Sequence, residues 1–73
     1  MTNEQLAAQL KDDCDRAGDG ERVVTIHLFG IRHATDLKGR NLREIATLAG
    51  IPVDYGTEIG KGVKLASYVD IKR

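Results

Sequence analysis

The chain has 73 residues, 41% of them hydrophobic and 30% charged, with a formal net charge of zero and one cysteine. A chain this short builds one thin core, so a single domain is expected, and Cys14 alone excludes a disulfide framework or a cysteine zinc cluster and suits a reducing cytoplasm. The start MTNEQLAAQL lacks the basic and long apolar regions of a signal peptide, and no stretch approaches the roughly 20 apolar residues of a membrane span, so a soluble cytoplasmic chain, monomeric or weakly dimeric, is expected.

Thr2 or Asn3 is placed to cap a first helix. Leu6, Ala7, Leu10, Cys14 and Ala17 then recur at three- and four-residue spacing on one stripe, with Gly18 as its end and Glu4, Lys11, Asp12, Asp13 and Asp15 on the opposite face. After the turn at Asp19-Gly20 the run RVVTIHLFGIRHATDL carries two signals. Val23, Val24, Thr25 and Ile26 are β-branched, whereas Leu28, Ile31, Ala34 and Leu37 follow helical spacing. The expectation is a short extended segment near Val23 and Val24, then a helix from about Ile26 to Leu37 closed by Lys38-Gly39.

Asn41, with Glu44 three residues later, has the pattern of a capping box and opens a helix to Ala49 that buries Leu42, Ile45, Ala46 and Ala49. Gly50 permits a sharp turn, Ile51 precedes Pro52 and is pushed out of the helical region, and Pro52 suits the start of the next helix. In that helix Tyr55, Ile59, Val63 and Ala66 form the inward stripe to about Ser67. The end of the chain alternates apolar and polar residues, so Tyr68–Ile71 is expected to pair as a strand with Val23–Thr25, leaving Lys72 and Arg73 at the surface. The expected architecture is therefore mainly α, four helices with a possible two-stranded β patch.

Ile45, Ala46, Gly50, Ile51 and Ile59 together resemble the helix-turn-helix motif over Leu42 to roughly Lys64: a small residue lets two helices approach, glycine turns between them and aliphatic residues set their angle. The wider pattern IHLFGIRHATDL, AGI and KGVKLASYV looks like a group of small, largely uncharacterised bacterial helix-turn-helix-like proteins. The resemblance implies a trihelical core, with the Ile26–Leu37 helix as third member, and a second motif helix whose outer face meets duplex DNA. That face would be Asp54, Thr57, Glu58, Lys61 and Lys64. Thr57, Lys61 and Lys64 are then the candidate groove contacts and Arg40 and Arg43 the candidate phosphate contacts, while Glu58 is suited to accept from cytosine N4.

Charge is unevenly spread. Residues 1 to 31 carry three basic against six acidic side chains, and residues 32 to 73, which contain the motif, carry eight against five. Yet Asp54 and Glu58 repel a phosphate backbone, and Gly56, Gly60 and Gly62 are costly inside a helix unless close packing requires them, a role expected of Gly56 and Gly60 with Gly62 near the helix end. These departures leave a second expectation, a protein-interaction module using Asp54, Glu58 and the glycine surface.

Other chemistry finds no support in the pattern. GTEIGKG is superficially similar to a phosphate loop but is too short between glycines and places no hydroxyl after Lys61. His27 and His33, six residues apart on a helix, cannot share a metal; Cys14 sits on an apolar stripe; Ser67 has no partner spacing for a nucleophile. Neither catalysis nor a metal or cofactor is expected.

Overall fold

Thr2 caps the first helix reciprocally: its Oγ1 accepts from Gln5 N at 3.1 Å while the Gln5 side chain accepts from Thr2 N at 2.8 Å. The computed structural model describes residues 1–71. Helix α1 spans Asn3–Arg16, α2 Arg22–Arg32, α3 Ala34–Leu37, α4 Leu42–Leu48 and α5 Tyr55–Leu65, with no strand among the described residues. Leu6, Ala7, Leu10 and Cys14 are the buried residues of α1, as their spacing requires.

The expected strand at Val23 and Val24 is the first turn of α2, where Thr25 N already donates to Glu21 O at 2.9 Å. A helix satisfies its backbone within the segment, whereas a strand needs a partner, and among the described residues none forms. Tyr68–Ile71 follows α5 instead of pairing: Tyr68 N and Val69 N both donate to Leu65 O, at 2.8 and 3.1 Å. Helical burial of Ile26 and Phe29 outweighs a β-branched preference worth only tenths of a kcal/mol. The anticipated two-stranded patch is therefore absent among the described residues, and the expected placement of Lys72 and Arg73 lies outside them.

A second correction concerns phase and continuity. The chain leaves the helix at His33 (φ −109°, ψ 20°), so the anticipated Ile26–Leu37 helix starts earlier and is split into α2 and a one-turn α3, giving five helices rather than four. The buried face of α2 is Ile26, Phe29 and Gly30, with Leu28 and Ile31 only half-buried. The Phe29 and His33 rings meet with centroids 4.8 Å apart, filling the break.

Helix α4 ends in a Schellman turn. Ile51 N donates to Ala46 O at 3.1 Å and Gly50 N to Thr47 O at 3.0 Å, while Gly50 takes φ +77°, a conformation glycine adopts without steric cost. Pro52, Val53 and Asp54 then accept from Tyr55, Gly56 and Thr57 N, a tight turn that feeds α5. Ile45, Ala46 and Ile59 are fully buried in one cluster with Ile51 packed on it, as the motif requires, although their α2 companions in that cluster are Ile26 and Phe29 rather than Leu28 or Ile31.

The α2–α5 pair is the most extensive helix contact, and glycine makes it so close. A Cβ on Gly62 would collide with His27 O and lie 2.9 Å from Gly30 Cα, and one on Gly30 would lie 2.8 Å from Gly62 Cα. Gly56 serves the α4 side, where a Cβ would lie 3.1 Å from Arg43 Cα, N and Cγ. Of the three α5 glycines, Gly62 and Gly56 are thus the tight ones, whereas Gly60 only approaches Leu42 Cδ1 at an ordinary 3.5 Å.

Candidate nucleic-acid interface

With α2 on one flank and α4 on the other, α5 keeps one face toward solvent. Tyr55, Ile59 and Val63 pack inward, so Thr57, Lys61 and Lys64 share the outward face and all three are exposed. Arg43 is also exposed, and its backbone and Cγ lie against Gly56 at the start of α5, on the α4 side of that face. Lys64 and Arg43 side chains have no hydrogen-bond or ion-pair partner among the described residues; Lys61 Nζ is 3.1 Å from Glu58 Oε2.

Arg40 does not join them. Its Nε donates to Asp36 O, and its two terminal nitrogens donate to Asn3 Oδ1 at 2.8 Å and to Met1 O. A guanidinium has five donors in one fixed plane, and three of them here staple the α3–α4 turn to the start of α1, so Arg40 has a structural role. Asn3 completes the staple by donating to Glu44 Oε2. Asn41 Oδ1 does cap α4 by accepting from Glu44 N at 3.1 Å, but the Glu44 carboxylate turns to Asn3 instead of completing the box.

Glu58 is the other residue that moves from its expected role. His27 Nε2 donates to Glu58 Oε1 at 2.7 Å, across the α2–α5 seam, while Lys61 holds the other oxygen. Because a carboxylate only accepts, the His27 proton shared here sits on Nε2. With both oxygens occupied at the seam, Glu58 is not free to read a base edge, and Asp54 is left as the one unpaired carboxylate of the exposed face. The role of His27 was hidden because its partner is 31 residues away and comes within reach only where Gly30 and Gly62 let the backbones touch. The shared signal lay in that glycine pair.

The hydrogen bond from His27, and then that from Lys61, holds the Glu58 carboxyl below the usual glutamate range. A group whose folded value is depressed stabilises the fold above its unfolded value and loses that contribution as pH falls through the folded one. Wild type should therefore exceed Glu58→Gln in stability at neutral pH, and the difference should close below the ordinary glutamate value of about 4.3. Urea midpoints of the two proteins across that range check it; a difference unchanged at acid pH contradicts the pairing.

Cys14 is 8% exposed and its thiol is pushed up, chiefly by burial, so it lacks the thiolate character of a nucleophile. Among the described residues no three His, Cys, Asp or Glu side chains gather as a metal site, and no helix is long and apolar enough to cross a membrane. The profile of one family, described as an HTH-like domain, matches residues 2–72. No curated protein and no solved structure matches the chain.

Proposed function

The chain belongs to the HTH-like domain family, and on that premise we propose that it is a small duplex-DNA-binding domain, serving transcriptional regulation in the cytoplasm, that lays α5 along the major groove. The observation that carries this reading is the outward face of α5, where Thr57, Lys61 and Lys64 stand together beside Arg43 on a helix-turn-helix frame. Thr57 and Lys64 face base edges and Lys61 and Arg43 face phosphate. The hold of His27 and Lys61 on Glu58 favours the same reading by withdrawing one of two carboxylates from the groove side. The reading involves no catalytic step and no cofactor.

Neutral net charge and a remaining Asp54 make the binding weak and dominated by few phosphate contacts. For about two such contacts, log K for random duplex should fall against log salt with a slope of roughly −2, and Arg43→Ala should make that slope shallower by up to about 1. Fluorescence anisotropy across a salt series measures both. Absence of binding at low salt overturns the proposal in favour of a protein-interaction module.

A further inference from the structure

The exposed face of α5 is complementary to itself. Asp54 has helical backbone angles (φ −61°, ψ −23°) and so continues the spacing of α5 by one residue. At 100° per residue, Asp54, Thr57, Lys61 and Lys64 fall within an arc of about 80° centred opposite the fully buried Ile59. Leu65, 40% exposed, ends the helix at the edge of this arc, and the exposed Val53 and Tyr68 lie in the turns before and after it. The acidic end and the basic end lie equally far on either side of Ile59, and neither Asp54 nor Lys64 has an ion-pair partner among the described residues.

We infer that this face pairs antiparallel with the same face of a second copy of the chain, about a two-fold axis passing at the level of Ile59. Such an axis brings each residue against the one equally distant on the other side of that level. Asp54 then comes level with Lys64 of the partner subunit and Thr57 with Lys61 of the partner subunit. Two symmetry-related ion pairs close the ends. Parallel pairing would set Asp54 against Asp54 and Lys64 against Lys64, so charge selects the antiparallel arrangement. The short contact makes the dimer transient. It does not rest on the nucleic-acid reading, although it covers Thr57, Lys61 and Lys64 and therefore excludes duplex from the same face.

Sedimentation equilibrium of the full chain at low ionic strength, without nucleic acid and up to roughly 1 mM, tests it. Wild type should fit a monomer–dimer equilibrium. Asp54→Lys alone and Lys64→Asp alone should each weaken the dimer roughly tenfold or more, because each replaces two attractive pairs with two repulsive ones. An equimolar mixture of the two variants restores both attractive pairs and should dimerise as wild type does. Both changes are at exposed positions, and circular dichroism confirms their folds. A monomer at every concentration, assembly beyond a dimer, or a mixture no tighter than its components would overturn the inference. Because no DNA is present, none of these results bears on duplex binding.

Discussion

Gly62→Val is expected to remove most of the stability of the chain. Any Cβ at position 62 is driven into His27 O and Gly30 Cα, which are backbone atoms fixed in α2 and cannot rotate aside as a side chain does. Overpacking of even an adaptable core costs about 1–3 kcal/mol, and a β-branched residue at a backbone contact should reach or exceed that upper value. A thin-cored domain has total stability of only about 5 kcal/mol at the low end of the usual range, so most of its margin disappears. Gly60→Ala two positions earlier is the matched control. There a Cβ meets only Leu42 Cδ1 at 3.5 Å, and removing a helical glycine should stabilise by about 0.5–1 kcal/mol. Urea denaturation of both variants separates the cases; equal effects of the same sign would mean that α2 and α5 do not touch through Gly62.

Phe29→Ala should cost about 3–5 kcal/mol, the range for emptying a buried aromatic site. Phe29 is fully buried between the helices, packs on the His33 ring where α2 breaks, and is the one phenylalanine in the chain. Phe29→Leu keeps most of the volume and should cost less than about 1.5 kcal/mol, so its far-ultraviolet dichroism stays helical while that of Phe29→Ala falls. A small loss for Phe29→Ala would place the core on Leu28 and Ile31 instead.

The contrast between Phe29 and Leu28 shows what could be read in advance. The α4–turn–α5 unit was readable because its signals are local: Asn41 caps, Gly50 turns, and Ile45, Ala46 and Ile59 recur at helical spacing. In α2 the β-branched run at Val23–Thr25 competed with helical periodicity, and the break at His33 shifted the phase, so the inward face was placed on the wrong residues. The candidate interface divides in the same way. Thr57, Lys61 and Lys64 follow from position on one helix, whereas the engagement of Arg40 with α1 and of Glu58 with His27 depends on contacts between distant segments that no local pattern encodes.

The claim that the outer face of α5 receives duplex DNA is tested most directly by following backbone amide resonances as a random duplex is added at low salt. The account predicts that the shifts concentrate at Arg43, Thr57, Lys61 and Lys64 and spare Arg40 and the acidic face of α1. Binding whose largest shifts fall on α1, or a spectrum unmoved by duplex, would contradict it.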